Sequence, residues 1–82
     1  MTLTQLKYAI ALSDAKSINE AARNLFISQP SLSSAIKELE AETGTELFIR
    51  TKRGIVITAE GEEFIGYARQ VVEQYQLMET RY

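Results

Sequence analysis

The chain has 82 residues, 45% of them hydrophobic, a net charge of −2, and neither histidine, cysteine nor tryptophan. A chain this short makes one small domain that buries only about 60% of its unfolded surface. Without His and Cys it cannot form within itself a disulfide, a thiolate or imidazole zinc site, a Ser-His-Asp triad or a Cys-His pair, so the expectation is no enzyme, no metal and no cofactor.

No apolar run approaches the ~20 residues of a membrane span. The first residues do not look like a signal peptide. The expectation is a soluble, cytoplasmic protein with no membrane partner.

Leu3, Leu6, Ala9 and Ile10 recur at helical spacing, and Thr4 can cap, which predicts a first helix from about Thr4 to Ala15. Ser17 with Glu20 three residues on makes a capping box. Ile18, Ala21, Ala22, Leu25 and Phe26 then form the apolar face of a short second helix, with adjacent alanines that admit a close neighbour. After the brief link Ile27-Ser28-Gln29, Ser28 caps a third helix with Pro30 in its first turn, and Gly44 ends it. The short gap between helices two and three has the size of a helix-turn-helix corner.

Phe48-Ile49 and Ile55-Val56-Ile57 are short β-favouring runs, joined by a turn over Thr51 to Gly54 with glycine available for positive φ. Thr58 caps a last helix that carries Glu60, Glu62 and Glu63 in its first turns, where acids suit the helix dipole. The order is helix, helix, helix, hairpin, long helix.

Charge is unevenly spread. Residues 1–57 hold seven basic and six acidic side chains, whereas residues 58–82 hold two basic and five acidic. The densest basic group is Arg50, Lys52 and Arg53. On the third helix, Ala35, Ile36 and Leu39 fall within about 60° of Leu32 at 100° per residue, and the four form the buried stripe. Pro30, Ser33, Ser34, Lys37 and Ala41 fall opposite.

That small, polar face has two readings. One is a solvated face with no task. The other is a surface that must be approached closely, as by the major groove of DNA. There Gln29 can pair with an adenine edge and Pro30 can touch a thymine methyl. Ser31, Ser33 and Ser34 can bond bases or phosphates, and Lys37 can reach a phosphate or guanine. The "RTKRG" turn is likewise either a solvated loop or, beside a helix-turn-helix, a wing. A wing arginine can enter the narrow minor groove, and a lysine can neutralise a phosphate.

In the last helix, Gly61, Phe64, Ala68, Val71, Tyr75, Met78 and Tyr82 keep a 3,4 spacing, widened by Ile65 and Val72. Such a stripe can pack on its own domain, as Phe64 and Ile65 are placed to do. It runs further than a small domain can cover, which favours a partner helix. The expected dimerisation residues are Phe64, Ala68, Val71, Val72, Tyr75 and Met78.

The segments Ser17–Glu40 ("S-x-x-x-AA-x-x-L-x-x-SQP-S-x-S-x-x-I-x-x-LE"), Gly44–Arg50 ("G-x-x-LF-x-R") and Thr58–Gly61 ("T-x-x-G") together resemble the N-terminal DNA-binding domain of LysR-type transcriptional regulators. The resemblance covers nearly the whole chain. It implies a mainly α fold, with a winged helix-turn-helix over residues 1–58 (three helices plus a β-hairpin wing) and a long dimerising linker helix over 59–82. It also implies sequence-specific binding of double-stranded DNA, with the recognition helix in the major groove and the wing in the minor groove, as a homodimer on an interrupted palindrome.

By position, Gln29, Pro30, Ser31, Ser33, Ser34 and Lys37 match the recognition helix. Arg50, Lys52, Arg53 and Gly54 match the wing, with Arg53 the minor-groove residue. Full-length members carry a C-terminal effector-binding domain, through which a small-molecule effector acts, and can assemble further into tetramers. That domain is absent here, so an N-terminal fragment is expected. The chain departs from the family pattern at Ser34, where a long basic or amide residue is common, and also at Ala9, Glu20 and Thr45. The rival expectations are a helical interaction module, which needs no basic wing, and a carboxylate-based hydrolase, which the scattered acids disfavour.

Overall fold

The computed structural model describes residues 1–82. Its elements are α1 (Leu3–Asp14), α2 (Ile18–Leu25), α3 (Gln29–Thr43), β1 (Phe48–Thr51), β2 (Gly54–Ile57) and α4 (Ala59–Arg81). The expected order of helices and hairpin is present throughout. The start of α1 differs from expectation. Thr2, not Thr4, is the cap: its hydroxyl accepts from the Gln5 N–H at 3.1 Å, and the Gln5 side chain accepts from the Thr2 N–H at 3.0 Å. This reciprocal pair satisfies two amides at once and starts the helix earlier. At Ser17 only half of the expected box forms, the Glu20 N–H donating to the Ser17 hydroxyl.

Leu32, Ile36 and Leu39 of α3 meet Leu12, Ala9, Ala21 and Ala22 in one buried cluster. The two alanines are nearly inaccessible, and α2 packs against both α1 and α3. Phe26 departs from expectation. It does not lie on the apolar face of α2 but closes that helix in the left-handed region, at φ 58° and ψ 39°. The Ile27 N–H reaches back to the Ala22 carbonyl and Ile27 turns into the core, while Phe26 is left outside.

β1 and β2 pair antiparallel, with Phe48 opposite Ile57 and Arg50 opposite Ile55. Because strand side chains alternate, Phe48, Ile55 and Ile57 face the core while Ile49 and Val56 face out. Glu40 ties the strand to α3. Its carboxylate accepts from the N–H groups of Leu47 and Phe48 at 2.7 and 3.2 Å.

The start of α4 is anchored on the same segment. The Thr58 hydroxyl accepts from the Gly61 N–H at 2.9 Å and donates to the Glu46 carbonyl at 2.7 Å. A Cβ at Gly61 would lie 2.2 Å from the Leu47 carbonyl oxygen, so only glycine lets the helix approach so closely. From there α4 runs along α1, with Gly61, Ile65, Ala68 and Val72 buried.

Candidate nucleic-acid interface

The polar end of α3 is already organised. Ser28 caps the helix, accepting from the Ser31 N–H at 3.2 Å and donating to the Ser31 hydroxyl at 2.8 Å. One turn on, the Ser33 hydroxyl oxygen accepts from Gln29 Nε2 at 2.9 Å and also from the Arg50 guanidinium. Residues i and i+4 share a helix face, which explains the first bond. The second joins the helix to β1. Gln29, Ser33 and Arg50 are thus brought together, and two of the serines serve neighbouring groups.

Pro30, Ser34 and Lys37 lie exposed on the outward side of α3, as the helical projection predicts. A cleft of about 340 Å³ separates α3 from the hairpin, lined by Ser33, Lys37, Ile49, Arg50 and Ile55 among others.

Lys52 and Arg53 form the exposed tip of the hairpin. The tip is braced by Thr51, whose hydroxyl accepts from the Arg53 N–H at 3.2 Å. The positive φ falls on Gly54, at 133°, not on the two tip residues. A Cβ there would lie 2.3 Å from the Lys16 carbonyl oxygen. The hairpin therefore leans directly on the backbone between α1 and α2. Lys37, Arg50, Lys52 and Arg53 have no carboxylate partner, since the ion pairs of the chain involve Arg69 with Asp14 and the amino terminus with Glu42. No group of acidic side chains is placed to hold a metal ion.

The apolar stripe expected along α4 divides between two faces. Ala68 and Val72, 2% and 8% exposed, pack with Leu6 of α1, and the half-buried Phe64 joins them. Val71 and Met78, 51% and 58% exposed, point about 90° away from that buried face at 100° per residue. Tyr75, seven residues after Ala68 and so on the same side of α4, is 37% exposed and its ring receives Lys7 of α1 at 5.7 Å, while Tyr67 and Tyr82 are exposed.

Residues 3–62 match the family described as "Bacterial regulatory helix-turn-helix protein, lysR family". The chain belongs to the LysR family. Along 99% of its length it is 41% identical to the HTH-type transcriptional regulator TfdT of Cupriavidus pinatubonensis, of which it spans only 36%. Among solved structures it resembles the CbnR DNA-binding domain in complex with DNA, with a TM-score of 0.94 and 38% identity, covering 99% of this chain and 93% of that one. The BenM DNA-binding domain with benA site 1 DNA gives 0.93 and 36%, covering 99% and 94%. The fold of this LysR-family chain is therefore a winged helix-turn-helix, with α2 and α3 as its helix pair and β1–β2 as its wing.

Sequence reasoning missed three features of the site. The roles of Glu40 and of Arg50 toward Ser33 depend on partners in other elements, and no local pattern announces them. The exposure of Phe26 was signalled only by the run Leu25-Phe26-Ile27, three apolar residues of which a helix ending at Leu25 can bury the first and third.

Proposed function

We propose that this chain is the DNA-binding part of a bacterial transcriptional regulator, reading double-stranded DNA in a sequence-specific way. The observation that carries this is the Gln29–Ser33–Arg50 arrangement at the exposed, small-residue end of α3, beside a hairpin tip with two unpaired cations. Short side chains let base edges come close, and a fixed Gln29 presents its amide to an adenine. Pro30, Ser31, Ser34 and Lys37 complete the surface toward the major groove. Lys52 meets a phosphate, and Arg53 enters the adjacent minor groove. Arg50 and Gly54 act from behind, the one holding Ser33 and the other seating the wing. No catalytic step is part of this reading.

The working unit is a homodimer joined through the exposed stripe of α4. That helix has 23 residues, or about 34 Å at 1.5 Å per residue. Paired antiparallel, two such helices hold recognition helices about one DNA turn apart, which suits an interrupted palindrome. The site of action is the bacterial cytoplasm, and no helix of the chain is long and apolar enough to cross a membrane. Any small-molecule effector would act through a part of the regulator beyond these 82 residues.

Selection of bound DNA from a random pool tests DNA binding, palindromy and spacing together. The expected outcome is an enriched interrupted palindrome, bound less tightly as salt rises. A pool that stays random after repeated rounds would remove the reading.

A further inference from the structure

Phe26 combines two unfavourable features. It is the only non-glycine residue of the chain with positive φ. That conformation crowds Cβ against the following carbonyl and is ordinarily taken by glycine or asparagine. The residue is also 94% exposed, so no burial compensates for the backbone. A strained, solvent-facing aromatic side chain is a reason to look for a ligand.

Its surroundings point to one. Ile27 is turned into the core, Ser28 caps α3, and Gln29 opens it. Phe26 is therefore held on the solvent side of the corner, three residues before the side chain expected to read a base. A recognition helix contacts base edges with its N-terminal residues, and here the corner from Phe26 to Ser28 immediately precedes the first of them, Gln29. The apolar feature of that groove is the thymine C5-methyl, and phenylalanine is among the side chains that contact it.

We propose that Phe26 is a specificity-determining contact, its ring packing on the methyl of a thymine near the base pair read by Gln29. This rests on the DNA-binding reading above. It adds to the recognition surface a residue outside α3, and it accounts for a side chain that neither the core nor the corner needs.

The test uses the whole chain and a DNA site obtained by selection. Each thymine is replaced in turn by deoxyuridine, which removes only the methyl, and affinity is measured for the wild type and for Phe26→Asn. Asparagine accepts the left-handed backbone, so the variant should fold and melt at or above the wild-type temperature; Phe26→Gly serves if it does not. The wild type should lose about fourfold at one thymine of each half-site, the worth of one buried methyl group. The variant, which gives up the contact in both half-sites of a dimer, should bind unmodified DNA about fifteenfold less tightly and be indifferent to that deoxyuridine.

A variant that binds unmodified DNA as the wild type does overturns the proposal, and leaves Phe26 to a protein partner. So does a variant that is weakened yet still senses every methyl the wild type senses. Failure of the wild type to select any sequence is a different result, because it removes the DNA-binding reading itself.

Discussion

Arg50 on the hairpin donates a hydrogen bond to the hydroxyl of Ser33 on α3, which also receives the Gln29 amide. One small side chain thus couples the helix that would read bases to the wing beside it. Replacing Ser33 with alanine frees both Gln29 and Arg50 while leaving the core untouched. Stability should fall by no more than about 1–3 kcal/mol, the worth of two hydrogen bonds at about 0.5–1.5 kcal/mol each. Discrimination between specific and random DNA should fall more. Thermal melts and paired affinity measurements check this, and a large loss of stability with unchanged discrimination would assign Ser33 to folding alone.

Gln29 and Lys52 should fail in different ways. Gln29→Ala should cost about 1–3 kcal/mol at one base pair of each half-site, with little effect on random DNA. Lys52→Ala should weaken all sequences evenly and reduce the salt slope by about one per half-site, or about two for the dimer. Titrations at several salt concentrations separate the two, and equal losses on specific and random DNA for Gln29→Ala would contradict base reading.

Gly54 seats the wing. Alanine there meets the Lys16 carbonyl oxygen and must also adopt a φ of 133°. We expect Gly54→Ala to destabilise by about 1–3 kcal/mol, the usual cost of a residue forced into a sparsely populated backbone region. DNA affinity should fall beyond what the unfolded fraction explains, because Lys52 and Arg53 move with the turn. Urea unfolding alongside binding measures both quantities.

Glu40 is an anchor for the hairpin. Its carboxylate satisfies the Leu47 and Phe48 amides, so Glu40→Ala leaves two donors without their partner at the entry to β1. A loss of about 1–3 kcal/mol is expected. Hydrogen exchange at Leu47 and Phe48 should speed up before the rest of the domain opens, and unchanged protection there would refute the anchoring role.

The two faces of α4 predict opposite outcomes for one substitution. Val71→Glu places a charge on the exposed stripe and should dissociate a dimer while the protomer stays folded. Ala68→Glu forces a charge against Leu6 and should unfold the protomer, since an unpaired buried charge is costly. Sedimentation and circular dichroism read the two results, and a Val71→Glu protein that still sediments as a dimer removes this seam.

Much of the architecture is local and was legible in residue order. Ser17, Ser28 and Thr58 each cap the helix that follows them. Leu32, Ile36 and Leu39 are buried as their spacing requires, and Pro30, Ser34 and Lys37 are exposed opposite them. Such features depend on helical period and on unpaired end amides, which a few neighbouring residues specify.

Other features waited for the fold. The α4 stripe reads as one continuous face, but the approach of α1 takes Ala68 and Val72 and leaves Val71 and Met78 outside. Phe26 reads as part of the α2 face until the left-handed turn swings it out. The residue order alone determined which segments are helix or strand, and it showed in outline which side of α3 is polar. The tertiary structure decided which apolar side chains remain exposed and which serines are already engaged, because burial and long-range hydrogen bonds depend on elements distant in the chain.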